Sequence, residues 1–254
     1  MPVFLCLAAA KKELAAHAAS LEALMSEYGA TAFDRTPTTL CGLFNPGEEL
    51  PCALVLQSLQ VDLAPFGIAL HVGAYERLGQ GLFGTELTRT HAIARTAWGG
   101  QILLTSEYLA ATSLPPEATL KPLGMHLLSN LAPPTQLYQL RHPALHNESF
   151  PPLRSLSYYP NNLRVQPHTF VGRTQELETL KEILGAPETR LLTLTGPGGI
   201  GKTRLALQLA AEIAGEFPQG VFFVSCEALP STALLPSTME QALQLPMTGR
   251  MDPH

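Results

Sequence analysis

A complete phosphate-binding pattern, G-x-x-x-x-G-K-[ST], occupies Gly196-Pro197-Gly198-Gly199-Ile200-Gly201-Lys202-Thr203. It follows the apolar run of residues 191–195, which we predict to be a parallel strand buried on both faces. The glycines let successive backbone N–H groups turn toward a phosphate, while Lys202 reaches the outer phosphates and Thr203 offers its hydroxyl to Mg²⁺. The pattern therefore predicts a nucleotide site, with a simple Gly-rich turn as the alternative.

The residues after this loop predict a helix and a second strand. Leu205, Leu209 and Ile213 fall on one helical face, and Gly215 ends the helix. The apolar run of residues 221–224 then predicts another buried strand. A strand, a glycine loop and a helix in this order are the context that separates a phosphate loop from an ordinary turn.

The composition limits the classes of protein to which this chain can belong. Of the 254 residues, 46% are hydrophobic and 15% are charged, which is typical of packed cores rather than of disorder. The net charge of −5 gives no basic surface for nucleic acid, and the apolar runs are too short to cross a membrane. We predict a cytoplasmic protein. Its widely spaced cysteines form no C-x-x-C pattern and are predicted to be buried, reduced thiols: Cys6, Cys41, Cys52 and Cys226.

Strands and helices alternate before the phosphate loop, which predicts an α/β fold with one sheet covered by helices. The first strand, at residues 3–7, precedes a helix marked by Leu14, Ala18, Leu21, Met25 and Tyr28. Further strands are predicted at residues 30–34, 39–44, 66–72 and 101–105, helices at 53–59 and 85–96, and a closing strand pair at 124–128 and 136–141.

Three short stretches in this part resemble the catalytic domain of class III nucleotide cyclases: Phe83-Gly84, residues 99–104, and Leu123-Gly124-Met125-His126. The resemblance covers residues 1–145 and implies a ferredoxin-like, cyclase-type α/β sandwich. In that family two aspartates hold the catalytic metal ions, and their places here are taken by Ala8 and Thr38. Neither residue replaces a hard carboxylate ligand.

The family's Asn and Arg on the helix after the Phe-Gly pair align with Thr88 and Ala92. The resemblance therefore implies a domain without cyclase activity, and we assign no catalytic residue. Two arginines on the same helix, Arg89 and Arg95, are predicted to be solvated surface charges rather than substitutes.

The composition changes to Pro, Asn and Ser at residues 146–168, which predicts an extended strap between two domains. Val171-Gly172-Arg173 follows it, and together with the phosphate loop this segment resembles the nucleotide-binding domain of STAND-type (NB-ARC-like) signalling ATPases, in which it lies against the adenine. The combined site for ATP or ADP comprises Val171, Gly172, Arg173, Gly196, Pro197, Gly198, Gly199, Ile200, Gly201, Lys202, Thr203 and Arg204, with Thr203 also a ligand of Mg²⁺.

Residues 169–254 are predicted to be the N-terminal part of a P-loop ATPase domain, because no acidic strand end for Mg²⁺ follows the second strand. We therefore expect the front of a longer protein, or a truncated product, in which hydrolysis is weak. Three functions remain open. The first is an ATP-binding signalling module of a bacterial transcription or signalling regulator, the second an active nucleotide cyclase, and the third a non-catalytic scaffold. The expected partners are the nucleotide, a second cyclase-like domain and downstream domains.

Overall fold

The computed structural model describes residues 1–58, 65–78, 81–130, 132–145, 149–168, 170, 172–227 and 229–243. Its strands are β1 (Val3–Ala8), β2 (Ala32–Arg35), β3 (Thr39–Phe44), β4 (Gly67–Val72), β5 (Glu76–Leu78), β6 (Gly81–Phe83), β7 (Ile102–Thr105), β8 (Thr119–His126) and β9 (Thr135–Arg141). Its helices are α1 (Lys11–Glu27), α2 (Glu49–Ser58), α3 (Thr85–Thr96), α4 (Ser106–Ala111), α5 (Thr174–Gly185), α6 (Lys202–Ile213) and α7 (Leu235–Ala242). The predicted α/β class is confirmed.

A seven-stranded sheet, counted over the described residues, has the order β2-β3-β1-β4-β7-β9-β8, and β5 pairs with β6 in a separate hairpin. Strand β1 runs antiparallel to both β3 and β4, whereas β4 and β7 are parallel. Residues 3–7 of β1 are fully buried and lie in the core. None of the helices in the described chain combines the length and apolar character needed to cross a membrane.

The two faces of the sheet carry two separate apolar clusters because successive side chains of a strand point to opposite sides. Val3, Leu5 and Leu7 pack with α1, α2 and α4 on one face. Phe4 and Cys6 face the other side, where α3 covers the sheet. A shift of one residue in β1 would exchange these two sets, so the apolar pattern fixes the register.

Local patterns predicted most of these elements. Helix α3 and strand β3 have the predicted bounds, and β8 and β9 are the closing strand pair. The sequence did not predict the hairpin β5–β6 or helix α4. The two hairpin strands have three residues each and α4 has six, so none of them is long enough to establish a hydrophobic period.

Two predicted strands are wrong. Residues 191–195 form no strand: Leu191 is 84% exposed, whereas Leu192 and Leu194 pack against α5 and α6. Residues 221–224 form only an isolated parallel bridge, between Val221 and Asn161. A strand satisfies its backbone N–H and C=O groups through a neighbour, and within the described residues no further ladder pairs with either run.

The prediction for the cysteines holds for three of the four. Cys6, Cys41 and Cys52 are buried and free, as expected for reduced thiols. Cys226 is exposed. Cys226 follows residues 221–224, which do not enter a sheet. No neighbouring strand therefore covers Cys226 in the described part of the chain.

The segment from Pro152 to Leu156 lies against the sheet domain. The indole N–H of Trp98 donates to the carbonyl of Pro152 at 3.0 Å, and the guanidinium of Arg154 stacks 4.2 Å above the same ring. Leu153 is buried in the cluster under α3, and Leu156 belongs to a further cluster that includes residues of α6. This segment therefore connects the packing of the sheet with that of the later helices.

Candidate nucleotide-binding site

The phosphate loop ends at the start of α6, where backbone N–H groups are oriented for an anion. Gly196, Gly199 and Gly201 have φ values of 148°, 75° and 89°, a region that L-residues rarely adopt. Gly201 is the N-cap residue of α6, and no side chain caps the first turn, which also contains no acidic residue. The orphan donors and the positive end of the helix dipole therefore point into the loop.

Lys202 lies across this loop. Its ammonium donates hydrogen bonds to the carbonyls of Gly196 at 2.9 Å and Pro197 at 2.7 Å. Thr203, the next residue, is exposed at the N-terminus of the helix, and Arg204 is half-buried. The sequence analysis assigned the Lys202 ammonium to phosphate and the Thr203 hydroxyl to Mg²⁺. Both groups belong to the N-terminal end of α6.

The segment expected to contact adenine is brought to this loop by Arg173. Gly172 and Arg173 have positive φ values of 76° and 53°, and Arg173 is the N-cap residue of α5. The Arg173 guanidinium donates to the carbonyl of Ile200 at 2.5 Å. Val171 lies outside the described residues.

A second group of residues joins α6 to the sheet domain. The Glu212 carboxylate lies 2.6 Å from the ammonium of Lys181 on α5 and 3.6 Å from the guanidinium of Arg95 on α3. Gln208 donates to Glu212 at 2.9 Å and to the carbonyl of Ser129 at 3.0 Å. We call these five residues the α3–α6 junction.

The junction holds a buried charge. The side chain of Glu212 is only 9% exposed. Burial opposes its ionisation, but the charges of Arg95 and Lys181 outweigh that effect and lower the pKa of Glu212. A carboxylate held in this way stays ionised at neutral pH and keeps both cations in place.

Sequence reasoning missed the junction because its members are distant in the chain. The prediction that Arg89 and Arg95 are solvated surface charges is wrong. Arg89 pairs with Glu86 and Glu107 and its side chain is 19% exposed, while Arg95 is 26% exposed. No local pattern signals such pairs, since the partners of Arg95 become neighbours only when α6 packs near α3.

Ala8 and Thr38, the two residues that the sequence comparison aligned with cyclase aspartates, lie side by side. The backbone N–H of Ala9 donates to the carbonyl of Thr38 at 3.0 Å, directly beside Ala8. Ala8 and Thr38 line a cavity of about 560 Å³, and Lys181 and Glu212 of the junction line the same cavity. Residues of α5 and α6 therefore border the cavity beside Ala8 and Thr38.

A family model matches a segment in the C-terminal part of the chain. Residues 169–249 match the AAA ATPase domain, so the predicted relationship to P-loop ATPases is confirmed. A Mycobacterium tuberculosis protein is 36% identical over 129 residues, which are 50% of this chain and 45% of that protein. A putative HTH-type transcriptional regulator of Mycobacterium bovis is 41% identical over 59 residues, 23% of this chain and 6% of the regulator. The chain thus spans less than half the length of either relative.

Solved structures similar to this chain include nucleotide cyclases, the class that residues 1–145 resemble. An adenylate cyclase from Trypanosoma brucei, in its monomeric state, aligns with a TM-score of 0.48 and 16% identity, over 60% of this chain and 94% of that one. The adenylyl cyclase CyaB from P. aeruginosa aligns with a TM-score of 0.44 and 12% identity, over 60% and 96% of the two chains.

Proposed function

We propose that this protein is a cytoplasmic, nucleotide-regulated signalling module. In this proposal residues 196–203 bind ATP or ADP with Mg²⁺, and the bound state is passed to residues 1–145, a cyclase-like domain without cyclase activity. The observation that carries the proposal is helix α6, which begins in the phosphate loop and ends in the α3–α6 junction. Its 12 residues span about 18 Å and join the two places as one rigid element.

The donor set of the loop suits a polyphosphate. Lys202 supplies a cation, the uncapped first turn of α6 supplies backbone N–H groups, and the exposed hydroxyl of Thr203 is available to Mg²⁺. The hydrogen bond from Arg173 to the carbonyl of Ile200 holds Arg173 and Gly172 beside the phosphate loop. From there they would contact the adenine base. Bound ATP would supply the phosphate charges that these groups are arranged to meet.

The loop has to rearrange when phosphate binds. Lys202 now donates to two loop carbonyls, and an anion competes for the same ammonium. Exchange of these partners changes the start of α6, and a rigid helix transmits that change to Glu212 at its other end. A nucleotide that prefers one of the two loop arrangements shifts the population of the junction.

The sheet domain supports a regulatory role rather than the synthesis of a cyclic nucleotide. Ala8 and Thr38 offer no carboxylate for a catalytic metal, and the cavity beside them is walled by Lys181 and Glu212. We therefore assign residues 1–145 a binding role, toward a second copy of the domain or toward downstream domains of a longer regulator.

Calorimetric titration with ATP and with ADP, each with Mg²⁺, tests the proposal. Charge-assisted contacts are worth about 1.5–3 kcal/mol, so Lys202→Ala should weaken binding about 10- to 150-fold. The matched control is Arg190→Ala, which removes an exposed cation before the loop and should leave the affinity unchanged. Absence of binding by the parent, or equal affinities of Lys202→Ala and the parent, would refute the phosphate-loop assignment.

A further inference from the structure

Two cysteines and one histidine meet under α3, away from the phosphate loop. Cys6 on β1 lies directly opposite Cys41 on β3, and both belong to the apolar cluster on the α3 face of the sheet. His91 reaches them from α3, with its Nδ1 atom 3.3 Å from the Cys6 sulfur. All three residues are buried, and their ligand atoms lie within 4.8 Å of one another.

These distances are close to those of a coordination sphere. With Zn–S bonds of about 2.3 Å and Zn–N bonds of about 2.0 Å, the ligand atoms of a tetrahedral zinc site lie about 3.5–3.8 Å apart. The Cys6–His91 distance already falls just below this range. The ligands come from three different elements of the core, so the fold itself holds them together.

His91 also has the outer partner that metal-binding histidines use. Its Nε2 atom lies 2.8 Å from the Asp34 carboxylate. Because an ionised carboxylate only accepts hydrogen bonds, Nε2 carries the proton, and Nδ1 is the ring atom that faces the sulfurs. The Thr39 hydroxyl lies 2.7 Å from the same Nδ1 atom.

The surroundings act in opposite directions on the pKa values of the two thiols. Burial opposes ionisation of Cys6, but Cys41 and His91 outweigh it and lower the pKa of the Cys6 thiol. Burial alone raises the pKa of Cys41 above its usual range, and the Cys6 contact raises it further.

We propose that Cys6, Cys41 and His91 form a binding site for one zinc ion, with Asp34 orienting His91. Two sulfurs and an imidazole favour Zn²⁺ over Mg²⁺ or Ca²⁺, which prefer oxygen ligands. Cysteine binds zinc as the thiolate and histidine as the neutral ring, so Cys6 and Cys41 bind through sulfur and His91 through Nδ1. Asp34 and His91 also line a cavity of about 270 Å³.

Metal uptake by the full, reduced chain tests this site. The protein is equilibrated with ZnCl₂ or CoCl₂, freed of excess metal, and measured by elemental analysis and native mass spectrometry. We expect one zinc per chain, and with Co²⁺ the near-ultraviolet absorption of thiolate-to-metal charge transfer. Cys6→Ser and Cys41→Ser should each abolish that absorption, and Asp34→Asn should weaken zinc binding about 10- to 100-fold.

Two control variants separate this site from other thiols. Cys52→Ser makes the same change at a buried cysteine on the opposite face of the sheet, and Cys226→Ser makes it at an exposed one. Both should keep one zinc. Circular dichroism checks folding, and Asp34→Asn keeps the test valid if a core Ser variant does not fold.

Several results would overturn the proposal. They are a parent protein that takes up no metal, loss of the metal in Cys226→Ser, and zinc retained by a folded Cys6→Ser or Cys41→Ser variant. A chain whose mass shows a Cys6–Cys41 disulfide, and which after reduction still takes up no zinc, would also overturn it in favour of a thiol pair.

Discussion

Replacing Glu212 with Gln removes the buried charge of the α3–α6 junction with little change in shape. Removing one partner of a buried ion pair costs about 3–5 kcal/mol. Arg95 and Lys181 are 26% and 20% exposed, however, so water compensates part of that loss. We therefore expect Glu212→Gln to lower the free energy of unfolding by about 2–3 kcal/mol.

Thermal unfolding followed by circular dichroism measures this effect. At about 2–4 °C per kcal/mol for a chain of this size, Tm should fall by about 4–12 °C. Glu178→Gln is the matched control, because Glu178 also pairs with Lys181, at 2.7 Å, but within α5. Such a helix pair contributes about 0.2–0.5 kcal/mol, so the control should lose less than about 2 °C. Equal shifts in the two variants, or an unchanged Tm in Glu212→Gln, would refute the reasoning.

Two further predictions concern pH and catalysis. Folding lowers the pKa of Glu212, so its contribution to stability is present above the pKa in the unfolded chain, near 4.5, and is lost as pH falls through the pKa in the folded chain. The difference in unfolding free energy between the parent and Glu212→Gln, measured by urea titration, should therefore shrink on acidification. A constant difference would contradict this. The protein should make no cyclic AMP or cyclic GMP with Mg²⁺ or Mn²⁺, since Ala8 and Thr38 offer no carboxylate; product above a no-enzyme control in a nucleotide assay would show that the cyclase-like domain is active.

The sequence predicted those features that depend on neighbouring residues. Helix α3 has the predicted bounds because its buried positions, such as Leu87 and Ala94, recur at helical spacing. The phosphate loop was found because its glycines, lysine and threonine are contiguous. Residues 191–195 had the composition of a buried strand, but composition does not supply the neighbouring strand that a ladder requires.

The features that the sequence did not predict depend on contacts between distant parts of the chain. Cys6, Cys41 and His91 have no metal-binding spacing, and they meet only because β1 pairs with β3 in one register and α3 covers that face. Arg95 is typical of a surface helix until Glu212 packs near it. Burial of a charge or a thiol is a property of the assembled layers, and it therefore follows from the topology.

Helix α3 links the two proposed sites. His91 and Arg95 are one helical turn apart on the same face, and both line the cavity of about 270 Å³. His91 faces the thiols of the sheet, whereas Arg95 pairs with Glu212 on the helix that starts in the phosphate loop. A movement of α3 therefore alters the zinc ligands and the junction together. If zinc changes the affinity for ATP by some factor, ATP must change the affinity for zinc by the same factor, because the coupling free energy between two binding sites is reciprocal.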